Sequence, residues 1–169
     1  RETIDHVSKT AMQTSVVRMA NAFGAPLDPK VDCWMLVVND LCRQAATHKC
    51  LEIRGPSNIL RNFITIEDVC LAIEYLIFNS QKFGPRMIFN LGDRTYSLLD
   101  MANAISDIYK SERGVILSIK ELSPPSEEIS DLDFRSLALE EIGWQPSSDH
   151  RKAIHGLIKF CETNFGSER

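Results

Sequence analysis

The chain has 169 residues, 44% of them hydrophobic and 25% charged, enough apolar side chain for a core without disulfide or metal staples, in one medium domain or two small ones. Nineteen Lys and Arg against 23 Asp and Glu leave a formal charge of −4, a poor basis for nonspecific nucleic-acid binding, which needs a basic patch. No apolar run approaches the ~20 residues of a membrane helix, and the charged stretch over residues 1–9 has no signal-peptide pattern.

In chain order, residues 1–9 offer the end of a helix. Residues 14–21 (TSVVRMAN) form a β-branched run that the following AFGAP breaks, so a short buried strand leading into a loop is predicted. A parallel strand needs neighbours, and nothing upstream supplies one, so the chain reads as starting in the middle of a larger sheet. Met35, Val38, Leu41, Cys42 and Ala45 recur at three- and four-residue spacing and predict a helix over 31–47. Residues 51–53 and 62–66, with Pro56-Ser57-Asn58 between them, predict a small β-hairpin. Thr65 or Asp68 can cap the next helix, whose stripe is Val69, Ala72, Ile73 and Leu76. Gly84-Pro85 ends that connection, and 87–91 is an apolar strand closed by Gly92.

Ser97-x-x-Asp100 is a capping box with the shorter acid, opening a helix with Leu98, Met101, Ala102, Ile105 and Ile108 on one face. Residues 115–119 read as a strand, 121–133 as an acidic loop, and 134–142 as a short helix stopped by Gly143. Ser148 or Asp149 caps a last helix with the stripe Ile154, Leu157, Ile158 and Cys161. Strand–helix alternation without repeats indicates an α/β fold.

Five scattered cysteines, an odd number without a C-x-x-C, point to a reducing cytoplasm. Cys42, His48 and Cys50 are neighbours in sequence but lack zinc-ligand spacing, so no metal site is expected. Arg18 is expected to make a structural ion pair, Trp144 to pack in the core, and Asp131 and Asp133 to be solvated acids.

The ordered pieces VVRMANAFGAP, LEIRGPSNILRNFITIEDVCLAIEYL, MIFNLGD, YSLLDMANAI and DFRSLALEEIGWQP resemble the C-terminal half of an extended short-chain dehydrogenase/reductase, the NAD-dependent epimerase/dehydratase family. The resemblance runs from about Ser15 to Phe160. It implies the last strands of a Rossmann-like domain plus a small, mostly helical substrate-binding domain. Residues 1–30 would end the Rossmann-like domain, with its strand at 15–21, and 31–86 would enter the substrate domain. Residues 87–110 would return a strand and helix to the sheet, and 111–169 would complete the substrate domain.

Within that resemblance Asn21 matches the asparagine of the family's RxxN segment, which faces substrate at a strand's carboxyl end. Arg61 matches the arginine of R-D-F/Y-x-x-x-x-D, whose planar fork clasps a diphosphate. Each has a plainer alternative, Asn21 as a loop residue satisfying local backbone and Arg61 as a surface ion pair. Asp68 matches the segment's second acid, with helix capping as its alternative. Met19 and Ala20 would touch a nicotinamide cofactor peripherally. Three departures bear on the substrate. Asn62 replaces the usual Asp, Gly55-Pro56-Ser57-Asn58 replaces a Gly-x-Gly hairpin, and the acidic loop with Glu127, Glu128 and Asp131 holds no arginine between Gly114 and Arg135. Acids repel a diphosphate unless turned outward, which favours a less charged ligand.

The eight glycines are at least eight residues apart, so no pyrophosphate loop is present. Tyr75, Tyr96 and Tyr109 are followed four positions later by Asn79, Asp100 and Arg113, so no Tyr-x-x-x-Lys pair occurs. The resemblance therefore implies the substrate-binding half of an NAD(P)-dependent sugar or nucleotide-sugar epimerase, dehydratase or reductase, inactive and without tightly bound NAD or NADP on its own. The alternative is a noncatalytic binding or scaffold module on the same fold. An open sheet edge invites a homo-oligomer, and neither nucleic acid nor membrane is an expected partner.

Overall fold

A computed structural model describes residues 14–83, 88–127 and 131–166. The helix end expected within 1–9, the Gly84-Pro85 break, Met87 and Glu128 lie outside the described residues. The elements form three small sheets flanked by helices. In the first, β1 (Val16–Met19) runs parallel to β5 (Ile88–Leu91), in register from Val16 opposite Ile88 to Met19 opposite Leu91. In the second, β4 (Leu60–Thr65) is central, parallel to β2 (Asn21–Phe23) and antiparallel to β6 (Arg94–Ser97). In the third, β3 (Cys50–Ile53) runs parallel to β7 (Ser118–Glu121).

The single strand expected over 15–21 is therefore two strands in two sheets, divided at Ala20. The expected hairpin is not formed, because β3 and β4 hydrogen-bond to different partners. The strand expected at 115–119 sits three residues later, and β6 was not anticipated, its first two residues being exposed Arg94 and Thr95 without an apolar alternation.

Helix α1 (Val37–Thr47) starts six residues later than its periodicity predicts. Turns with Cys33 N–H on Val31 O and Leu36 N–H on Cys33 O occupy the predicted first turns, and Met35 is 77% exposed. Its later stripe, Val38, Leu41, Cys42 and Ala45, is buried. In α2 (Ile66–Phe78) Val69, Ala72 and Leu76 are buried, whereas Ile73 faces outward at 44% exposure. Helix α3 (Leu98–Arg113) has the capping box, with the Ser97 hydroxyl accepting from Asp100 N–H and the Asp100 carboxylate accepting from Ser97 N–H. It ends on Gly114 at φ 68°, a left-handed position suited to glycine. Helix α4 (Leu137–Glu141) is shorter than predicted, and α5 (His150–Phe165) is capped by Asp149, whose carboxylate accepts from Arg151 and Lys152 N–H.

Two cores result. One gathers Val38, Leu41, Cys42, Phe63, Met101, Ile105, Leu157 and Ile158 between α1, α3, α5 and the neighbouring strands. The other holds Ile64, Val69, Ala72, Phe89, Leu91, Leu139 and Trp144, seating α2 and α4 on the β1–β5 pair. Among the described residues no helix is long and apolar enough to cross a membrane.

Candidate functional site

The candidate residues converge where the chain passes from β1 to β2. Ala20 N–H donates to Leu91 O at 2.9 Å, extending the β1–β5 ladder one residue past Met19. Asn21 then opens β2 opposite Phe63 of β4, so it is the first residue of a second strand and not the last of the predicted one. The Asn21 amide donates to Asn62 O at 2.9 Å, so part of its capacity serves local backbone while the side chain remains exposed. Arg61 lies two residues before Phe63, about 7 Å along the strand, and opposite Tyr96. Side chains alternate along a strand and cross-strand partners share a face, so register places Asn21, Arg61 and Tyr96 on one face of the β2–β4–β6 sheet. Arg61 is exposed and has no carboxylate partner among the described residues. Met19 is 52% exposed beside this junction.

Asn62 faces the other way and is buried. Its side-chain oxygen accepts from Asp93 N–H at 3.0 Å while its amide donates to Asp93 O at 3.2 Å and Thr95 Oγ1 at 3.1 Å. A carboxylate could accept but not donate here, which accounts for asparagine at this position. Ser136 fixes the adjoining turn, its hydroxyl accepting from Gly92 N–H and donating to Gly92 O.

Of the two residues that could cap α2, Thr65 does so, accepting from Asp68 N–H. The buried Asp68 carboxylate accepts instead from Thr65 Oγ1 and from the N–H groups of Ser147 and Ser148, anchoring the segment that leads into α5. Arg18 is exposed and makes no ion pair among the described residues, contrary to expectation. Trp144 is buried as expected.

No family model matches the chain, and no curated protein matches it. Solved structures do. RMD from Pseudomonas aeruginosa, complexed with NADPH, is 16% identical, with a TM-score of 0.74 over 95% of this chain and 52% of that one. UDP-glucose 4-epimerase from Thermus thermophilus, in complex with NAD, is 15% identical, with a TM-score of 0.72 over 96% and 51%. UDP-N-acetylglucosamine 4-epimerase from Methanobrevibacter ruminantium M1, in complex with UDP-N-acetylmuramic acid, is 15% identical, with a TM-score of 0.70 over 97% and 51%. The fold is that of the C-terminal half of the NAD-dependent epimerases and dehydratases. The chain spans about half the length of these structures.

The β1–β5 pair is parallel, and its carboxyl end delivers Met19, Ala20 and Asn21, where open α/β sheets bind ligands. A cleft of comparable interest lies elsewhere. It measures about 700 Å³ between α1, β3 and β7, and none of Met19, Ala20, Asn21 or Arg61 lines it. Its wall carries Asp40, on which Arg43, Gln44 and Arg54 converge, at 3.3, 2.9 and 3.6 Å. Sequence reasoning missed this cluster. Its one signal is the acid at i with Arg and Gln at i+3 and i+4 on a helix, a common pattern of solvated faces. The fold and the strand-end geometry outweigh cleft size, so the β1–β2 junction is the candidate site.

Tyr75, Cys42 and Cys161 sit in surroundings that do not activate them. Tyr75 meets a lysine in space, with Lys82 Nζ 3.0 Å from its hydroxyl, but that hydroxyl donates to Ile142 O on the side of α2 facing α4. Burial pushes the Cys42 thiol well up and the Cys161 thiol to about 12, so neither is a nucleophile. His150, at the start of α5, is buried with Nε2 2.8 Å from Asp93 Oδ2. Burial lowers its pKa, the nearby Asp93 carboxylate only partly opposing this. Between that lowered value and the ~6.5 of a free histidine, the unfolded chain binds a proton that the native chain refuses. Stability is therefore expected to be unaffected by His150 above about pH 6.5 and to fall as pH drops below it. Melting curves at stepped pH check this, the acid-side loss shrinking in His150→Phe.

Proposed function

We propose that this chain is the substrate-binding half of an NAD(P)-dependent epimerase, dehydratase or reductase whose ligand is a sugar or nucleotide sugar. The observation that carries the reading is the junction itself, where a carboxyl strand end, an exposed asparagine and a guanidinium without a carboxylate partner lie on neighbouring strands. The planar Arg61 fork is suited to a diphosphate, donating to two of its oxygens in one plane. Asn21, already oriented by Asn62 O, keeps a carbonyl oxygen and a second N–H to meet ligand hydroxyls. UDP-sugars fit this polarity, and the neighbour from Methanobrevibacter ruminantium holds one. Glu127 and Asp131 of the acidic segment are exposed, so both can be solvated while a diphosphate binds.

NAD or NADP would supply hydride transfer in the intact parent. This chain's contribution to holding it is small. Met19 offers an exposed apolar side chain that fits against a nicotinamide ring, whereas Ala20 N–H is already engaged by Leu91 O, which leaves its carbonyl and methyl for any contact. Without a pyrophosphate loop or a Tyr-x-x-x-Lys pair, the chain on its own is expected to neither hold the cofactor tightly nor turn over.

The test titrates UDP into the ¹⁵N-labelled chain. The Asn21 side-chain amide and the Arg61 Nε–H resonances are expected to shift, and Arg61→Ala to weaken binding by about tenfold or more, the value of a charge-assisted pair. Shifts confined to the cleft around Asp40 and Arg54 would move the site there. In the parent, failure of any sugar nucleotide to reduce bound NAD would favour a noncatalytic binding module.

A further inference from the structure

We propose that His150 is a positioning residue for Asn21, its proton uptake being relayed through Asp93 and Asn62 to the exposed amide at the candidate site. The linkage runs through three contacts and crosses between side chain and main chain within Asp93 and within Asn62. His150 Nε2 lies 2.8 Å from Asp93 Oδ2. Asp93 N–H donates to Asn62 Oδ1 and Asp93 O accepts from Asn62 Nδ2, a two-point clamp. Asn62 O in turn accepts from Asn21 Nδ2 at 2.9 Å. Every intermediate member is buried or half-buried, so the bonds act in a low dielectric where they are strong and directional.

The first link has two states. His150 Nε2 touches Asp93 Oδ2, yet neither ring nitrogen has a partner that meets full hydrogen-bond geometry among the described residues. A protonated ring would be drawn into line with the carboxylate, forming the charge-assisted bond that the neutral ring lacks. The surroundings set the balance. Asp93 and Asp68, from the β5–β6 turn and α2, favour the proton, while Arg94 of β6 opposes it. Tyr96 of β6 and Phe23 of β2 enclose the ring, with centroids at 6.0 and 5.1 Å. Asp107 of α3, with Asp149 and Arg151 of the histidine's own helix, lines the adjoining 250 Å³ cavity. A cation at the first residue of α5 also meets the positive end of the helix dipole, so protonation strains the same junction that holds Asp93.

The relay deepens the reading of Asn21 as a ligand contact and takes its functional meaning from it, but it is measured without ligand. In the ¹⁵N- and ¹³C-labelled chain, the Asn21 and Asn62 side-chain amide peaks are expected to move together with the His150 ring as pH falls below the ~6.5 of a free histidine. Asp93→Asn is expected to leave His150 titrating and to abolish that movement, and His150→Phe to abolish it as well. Should His150→Phe fail to fold, the wild-type titration and Asp93→Asn decide alone. A stationary Asn21 amide while His150 titrates overturns the relay, as does an Asn21 titration that persists unchanged in Asp93→Asn. UDP shifts at Asn21 and Arg61 alongside a stationary titration would sink the relay and spare the proposed function. A titrating Asn21 without UDP shifts would do the reverse.

Discussion

Asp68→Ala is expected to cost about 3–5 kcal/mol of folding stability, the loss of a buried carboxylate that satisfies several donors at once. The side chain is fully buried. One oxygen accepts from Ser147 N–H at 3.0 Å, the other from Thr65 Oγ1 at 3.1 Å, and both take Ser148 N–H, at 3.2 and 3.1 Å. Alanine leaves the buried Thr65 hydroxyl and the N–H groups of Ser147 and Ser148 without their acceptor, each unmade bond costing about 1–3 kcal/mol where water does not replace it. Asp68→Asn keeps one acceptor oxygen but turns the other into a donor aimed at donors, so an intermediate loss is expected. Urea unfolding of the three proteins measures the ranking. Amide exchange at Ser147 and Ser148 should accelerate in both variants. A loss under about 1 kcal/mol for alanine would mean that water or a rearranged turn replaces the carboxylate. The effect should reach the candidate site, because the anchored segment sets where α5 begins and hence where His150 meets Asp93.

Helical stripes were legible because periodicity follows from burial alone. Ile105, Ile108, Leu157 and Ile158 fell where spacing put them, and the Ser97–Asp100 box and the Asp149 cap are local chemistry that a four-residue window contains. Strand pairing was not legible from local pattern. Nothing in VVRMANAF marks Ala20 as the point where the chain leaves one sheet for another, since that break is made by Leu91 O and Phe63, both more than 40 residues away. The same reason hid the partners of β3 and β4, which a hairpin reading joined and the fold separates. The resemblance to the family order supplied what periodicity could not, namely the nearness of the segments ending at Asn21 and Leu91. Asn62 shows the limit of that route. It stands as a departure from the family's usual Asp that bears on the substrate, yet it is a buried side chain that both accepts from and donates to Asp93 backbone.

Gly92→Ala is expected to cost at least about 2 kcal/mol and to disturb Asn21 without touching it. Gly92 is buried at the end of β5, and a Cβ there would collide with Asn62 Oδ1 and come within 2.7 and 2.8 Å of two Phe134 ring carbons. The usual escape, a small backbone shift, is closed because the Ser136 hydroxyl holds both Gly92 N–H and Gly92 O, at 2.9 and 2.8 Å. Something must yield, and Asn62 is the neighbour whose displacement carries consequences, since its carbonyl orients Asn21 and its side chain clamps Asp93. Ser136→Ala frees that backbone while leaving two buried groups unpaired, a loss of about 1–3 kcal/mol by itself. If the clash is relieved by backbone movement that Ser136 normally prevents, the double variant should lose less than the sum of the singles. Additive losses would show that Phe134 and Asn62 absorb the collision whatever Ser136 does. Side-chain amide shifts of Asn62 and Asn21 in Gly92→Ala separate the two routes, moving strongly only where the asparagine gives way.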